Sequence, residues 1–127
     1  MDGTEIPIPD AKMAEYRRTA RRRWEAEKEQ RALRYDQGWA LARQAAALLR
    51  RDYAITRVVV FGSLLDRQRF TLRSDVDLAA WGLTAQNWLR AIGAVRALSD
   101  DIELSLIDVA LCSPEFLAII EQEGVEL

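Results

Sequence analysis

Histidine is absent from the 127 residues, and cysteine occurs once, as Cys112. The first absence removes the usual zinc sites and every Ser-His-Asp or Cys-His mechanism. The second excludes an intramolecular disulfide and fits a reducing compartment. Nothing near Cys112 in sequence would lower its pKa, so it reads as a small buried or half-buried apolar residue. No apolar run approaches ~20 residues and the N-terminus lacks a basic-then-apolar leader, so a cytoplasmic protein is expected. An excess of one charge is missing too. Eighteen Lys and Arg stand against 20 Asp and Glu, a net charge of −2. That balance gives no global support for coating a polyanion, and direct nucleic-acid binding is not expected.

What is present is the composition of one ordinary domain, 50% apolar and 30% charged, with chain enough for a single modest core. No internal repeat or low-complexity tract occurs. Residues 1–37 read as an arm followed by a charged helix, and 38–127 as the domain proper. Met1 to Asp10 looks like a loose arm, with Pro9-Asp10 as the helix start. Ala11 to Gln37 is rich in helix formers and free of proline and glycine. Its basic block, Arg17, Arg18, Arg21, Arg22 and Arg23, precedes Glu25, Glu27 and Glu29, with Glu27 and Arg31 at favourable i,i+4 spacing. The apolar positions Met13, Tyr16, Ala20, Trp24 and Leu33 make only a thin stripe. Three readings stay open: a solvated helix, a helix that packs on a partner or a second copy through Tyr16 and Trp24, and a phosphate-binding basic stripe.

Gly38 predicts a bend or break near Asp36-Gln37-Gly38. Trp39 to Arg51 then carries a full apolar face, Trp39, Ala42, Ala45, Ala46 and Leu49, and is expected to be the first core helix. After the strand Arg57–Phe61, the linker Leu64–Ser74 is expected to begin as a short helical turn and continue as an exposed loop. The next strand is Val76–Trp81, with Gly82 as a turn. Thr84 predicts the N-cap of a helix to about Leu98 that buries Trp88, Leu89, Ile92 and Val95. Ile102–Ile107 alternates with period two, a third strand. Ser113-Pro114-Glu115 opens a last helix that Gly124 stops near Glu123.

The chemistry gathers at Val58-Val59-Val60-Phe61-Gly62-Ser63 and Asp75-Val76-Asp77. Side chains two apart on a strand face the same way, so Asp75 and Asp77 share a side, roughly 6–7 Å apart at ~3.3 Å rise per residue. Two carboxylates so placed suit a hard divalent cation such as Mg²⁺, which commonly sits between protein carboxylates and substrate phosphates. A Gly-Ser turn at a strand end offers backbone N–H groups and a hydroxyl to a phosphate. Arg67, Arg69 and Arg73 lie between the two halves, where one could touch phosphate or all could be solvated. Glu103 alternates onto the face away from Leu104 and Leu106, where it would join the aspartates. Asp108 reads as the start of a turn. Trp81 reads as a packing residue, with stacking on a base as the other reading.

Gly62-Ser63 followed by Asp75-Val76-Asp77 resembles the signature of the polymerase-beta-like nucleotidyltransferase superfamily. More narrowly it is similar to the minimal nucleotidyltransferases, small prokaryotic proteins often encoded beside a HEPN-domain partner as a toxin–antitoxin pair. The resemblance covers about Thr56 to the C-terminus, where Glu121–Leu127 looks like the family's closing helix and final short strand. It implies an α/β (α+β) fold, a small mixed sheet flanked by helices, to which this chain adds a long charged N-terminal helix. It further implies transfer of AMP from ATP to a tyrosine hydroxyl of the HEPN toxin. The metal would be held by Asp75, Asp77 and Glu103, all three catalytic, with the nucleotide on Gly62, Ser63 and Arg73. The third carboxylate is usually aspartate in the family, and here it is Glu103. Many relatives place Ala-x-Gly early in the linker, where this chain has Leu65-Asp66-Arg67. Two other functions are weighed: an antitoxin that acts by binding alone, and a free-standing transferase on a small molecule. Self-association through the N-terminal helix belongs with the open readings above.

Overall fold

The computed structural model describes residues 9–127; the loose arm expected over Met1 to Ile8 lies outside them. Asp10–Tyr53 forms one helix, α1, of 44 residues, about 66 Å at ~1.5 Å per residue. The break expected at Gly38 does not occur. Gly38 is buried inside the helix, and a Cβ there would lie 2.9 Å from Leu64 Cδ1 and 3.2 Å from Phe70 Cζ. The glycine serves close packing, and tertiary contact outweighs its modest helix penalty. Glu27 and Arg31 are not an ion pair either: Arg31 Nη2 donates to the carbonyl of Gln68 at 3.1 Å.

Ala54, left-handed at φ 54°, turns the chain back into β1, Arg57–Phe61. A 3-10 turn over Gly62–Leu65 and a linker of two further turns lead to β2, Val76–Trp81. Both strands stand where the apolar runs place them, and the helical turn expected from Leu64 begins two residues earlier, at Gly62. From Asp66 to Arg73 the linker is exposed except for Phe70, which is wholly buried and meets Tyr35 of α1 edge to face at 6.1 Å. That aromatic anchor was not expected.

The next helix, α2, spans Trp88–Arg96 and begins later than Thr84 predicts. Thr84 instead closes a turn: its N–H donates to Asn87 Oδ1 at 2.8 Å, and its carbonyl accepts from the N–H groups of Asn87 and Trp88. Ala91 and Val95 are the buried positions of α2, while Leu89 is largely exposed, because a nine-residue helix at the edge presents a narrow inner face. Strand β3 is Leu104–Asp108, shifted so that Glu103 stands just before it. Asp108 does start a turn, accepting from the Ala110 N–H. Helix α3, Pro114–Glu123, has Ser113 as its N-cap, and β4, Val125–Glu126, follows Gly124.

The four strands form a mixed sheet in the order β3-β2-β1-β4; β2 and β3 are parallel, and the other neighbours antiparallel. One face carries Val58, Val60, Val76, Leu78, Leu104 and Leu106 and packs under α1 and α2. The other carries Val59 and Ala79 and packs on Ile120 of α3. Among the described residues no helix is long and apolar enough to cross a membrane.

Candidate active site

Gly62 closes β1 with φ +79°, a left-handed conformation that a side chain adopts only under strain. An added Cβ would lie 2.5 Å from Asp77 Oδ2, so the bare glycine backbone passes directly over this carboxylate. The contact follows from the register, in which Phe61 stands opposite Asp77 across the β1–β2 pair. A left-handed turn immediately after Phe61 then brings the chain back over the acid.

Asp77 is half-buried, on the sheet face that α3 covers. Burial, and then the negative charge of Asp75, push its carboxyl above the ordinary value of 3.8. Asp75 is exposed, one residue before β2. The pair is therefore asymmetric, one carboxylate recessed beneath a glycine and one at the rim. Ser63 is half-buried in the 3-10 turn that starts at Gly62. Both ends of the Gly-Ser and Asp-x-Asp motifs thus meet at one rim of the sheet.

The Glu103 carbonyl accepts from Val76 N–H at 2.9 Å. In the parallel register Leu104 lies beside Val76 and Ser105 beside Asp77, which sets Glu103 level with Asp75. Its carboxylate goes to Arg96 of α2, with Oε1 3.2 Å from Nη2 and both side chains more than half exposed. Among the described residues no group of three or more His, Cys, Asp or Glu side chains is assembled to hold an ion. Asp75 and Asp77 are the carboxylates set for a hard cation, with Glu103 at their edge.

Arg67 stacks on Tyr35, its guanidinium 4.6 Å from the ring centre. Arg73 is exposed and lines a hollow with Glu27, Arg31, Thr71 and Leu72, next to α1. Arg69 is exposed. Trp81 is half-buried with the Arg57 guanidinium 4.2 Å above its ring, so packing already occupies that face. Arg57 in turn binds Glu121 at 2.7 Å and pairs with Glu126, tying α3 and β4 to β1. Cys112 is half-buried, as expected.

Sequence reasoning missed Arg34. From α1 it donates to the carbonyl of Ser74 at 3.0 Å and to that of Asp101 at 3.2 Å, pinning the backbone immediately before Asp75. No local signal marks an arginine whose partner lies 40 residues away.

No protein-family model matches the sequence, and no curated protein matches it. Solved structures do. A chain in the crystal structure of a mutant of the toxin–antitoxin MntA-HpeT superposes with a TM-score of 0.55 at 20% identity, covering 67% of this chain and 69% of that one. A second mutant of the same pair gives 0.54 at 17% identity, over 67% and 70%. The toxin–antitoxin MntA-HepT gives 0.52 at 16% identity, over 69% of each chain. At these identities the likeness establishes architecture: the chain shares its fold, a mixed α/β arrangement, with a chain of these toxin–antitoxin structures.

Proposed function

We propose that the protein is a Mg²⁺-dependent nucleotidyltransferase, transferring AMP from ATP to a tyrosine hydroxyl of a HEPN-domain toxin, and that it serves as that toxin's antitoxin. The observation that carries this reading is the approach of Gly62 to Asp77. It joins a turn able to hold phosphate to a carboxylate pair able to hold metal. The likeness to toxin–antitoxin structures supports the choice of partner class.

The residues present fit the ion. Asp77 is pushed toward its protonated form by burial beside Asp75, so the pair gains from a cation that neutralises both. Donors that are all carboxylate oxygens favour a hard ion over zinc or copper. Asp75 and Asp77 would hold it, and when bound it supplies charge neutralisation to the phosphates of ATP. Gly62 and Ser63 contribute amides and a hydroxyl to the triphosphate, and Arg73 is the linker cation assigned to it. Glu103, level with Asp75, assists by accepting the proton of the attacking hydroxyl once it leaves Arg96.

A second reading, an antitoxin that acts by binding alone, draws on the pairing of Glu103 with Arg96 and on the missing three-carboxylate cluster. Incubation with labelled ATP, Mg²⁺ and the product of the adjacent gene separates the two. Label on that partner that vanishes with Asp77→Asn supports transfer. Neutralisation that survives Asp77→Asn, with no label transferred, supports binding alone.

A further inference from the structure

From Asp10 to Lys28, α1 stands clear of the sheet, about 28 Å of helix at ~1.5 Å per residue. It projects past the same end as the Gly62 turn, since Gly38 packs on Leu64 and Arg34 reaches Ser74. At 100° per residue, Met13, Tyr16, Ala20 and Trp24 fall in line with Gly38, Ala42 and Leu49. The apolar line that lies on the sheet below therefore reappears above, beyond the polar interval of Glu27, Arg31 and Arg34. Tyr16 and Trp24 are 58% and 61% exposed. Arg17, Arg21 and Lys28 border the stripe on one side, Lys12 and Arg23 on the other; Glu25 and Glu29 turn to the back, Glu15 lines a hollow with Lys12 and Tyr16, and Glu27 stands on the line of the stripe just below Trp24. At its foot Lys28, Arg31 and Arg67 line a hollow of ≈ 230 Å³.

We propose that this projecting half of α1 is a docking helix for an acidic amphipathic helix of a partner protein, seated on the Met13–Trp24 stripe with its carboxylates against the cationic borders. Aromatic anchors inside a charged rim are the usual make-up of an interface core. A second copy of this chain is the poorer occupant. Antiparallel pairing sets Arg17, Arg21 and Lys28 against themselves, and parallel pairing sets them against Lys12 and Arg23. Nucleic acid is poorer still, because four glutamates interrupt the arm and residues 10–34 hold nine cations against five acids. The proposal is independent of the transferase reading, since none of these residues belongs to the carboxylate pair.

The test uses the full chain and a labelled peptide of about three heptads, with Leu at a and d and Glu at e and g, whose like charges keep it single. Binding is followed by fluorescence anisotropy beside a matching Leu/Lys peptide and a single-stranded RNA, with sedimentation of the chain alone. The expected result is saturable micromolar binding of the Leu/Glu peptide only. Tyr16→Ala with Trp24→Ala should weaken it at least about tenfold, and Arg17→Glu with Arg21→Glu should shift preference to the Leu/Lys peptide. All four positions are exposed, so the variants keep their fold. No binding by about 1 mM, equal binding of both peptides, tighter binding of RNA, or a dimer through the stripe would each overturn the proposal. Each of those results would leave the ATP-labelling assay unaffected.

Discussion

Gly62 and Asp77 are matched in shape: the place where a Cβ would stand on Gly62 is 2.5 Å from Asp77 Oδ2. Gly62→Ala therefore meets two penalties, the positive φ and the displacement of the carboxylate. Its unfolding free energy should fall by about 1–3 kcal/mol, read from urea titration. Mg²⁺-dependent transfer should be lost with it, even at temperatures where the variant is fully folded.

Asp77 should also write a pH dependence into stability. Its folded pKa is raised above the ordinary 3.8, chiefly by burial and secondly by Asp75. The folded state then holds its proton more tightly than the unfolded chain. Asp77 thus contributes stability that is complete below the unfolded value and disappears as pH rises through the raised folded value. Asp77→Asn, neutral throughout, should be more stable than the parent at pH 7 and lose that advantage below about pH 4. Denaturant titrations of both proteins across that span check the sign. Adding Mg²⁺ at pH 7 should raise the melting temperature of the parent and leave that of Asp77→Asn unchanged.

The carboxylates should separate in kinetics. Glu103 already shares an exposed ion pair with Arg96, so Glu103→Gln should cost less than about tenfold in label transfer, against at least about a hundredfold for Asp77→Asn. Equal losses in single-turnover assays would place Glu103 fully in the site. Stability should barely register Arg96→Ala, since exposed pairs contribute about 0–1 kcal/mol.

Phe70 and Gly38 form one packing unit that joins the linker to α1. Phe70→Ala removes a wholly buried ring and should cost about 3–5 kcal/mol. Gly38→Val should cost about 1–3 kcal/mol from overpacking. Gly38→Ala should cost about 1 kcal/mol, because the push on the buried Leu64 and Phe70 side chains outweighs the gain from a better helix former. Thermal melts of the three variants rank them.

Local chemistry made much of this architecture legible. β1 and β2 are short apolar runs with clear ends, and Ser113-Pro114 with Gly124 brackets α3 without outside help. The meeting of Gly62 with Asp77 was legible because both motifs sit on strand ends that pair. What could not be read depends on contacts distant in sequence. Gly38 looks like a breaker until Leu64 and Phe70 are seen against it. That Glu103 is paired with Arg96 of α2 could not be read from either residue's neighbours in sequence. Thr84 has the right chemistry for a cap, yet Asn87 captures its N–H in a turn first.

The unbroken path of α1 locks projection and body into a single rotational phase. Inserting two residues between Trp24 and Arg31 would swing Tyr16 and Trp24 through about 200°, to the opposite side, while the contacts of Arg31, Arg34 and Tyr35 and every core contact stayed intact. An insertion of seven would return them to within about 20° of their present bearing. The length of this mast is therefore quantised: changes of about seven, eleven or eighteen residues keep its bearing to within about 20°, and changes of about two or five turn it away.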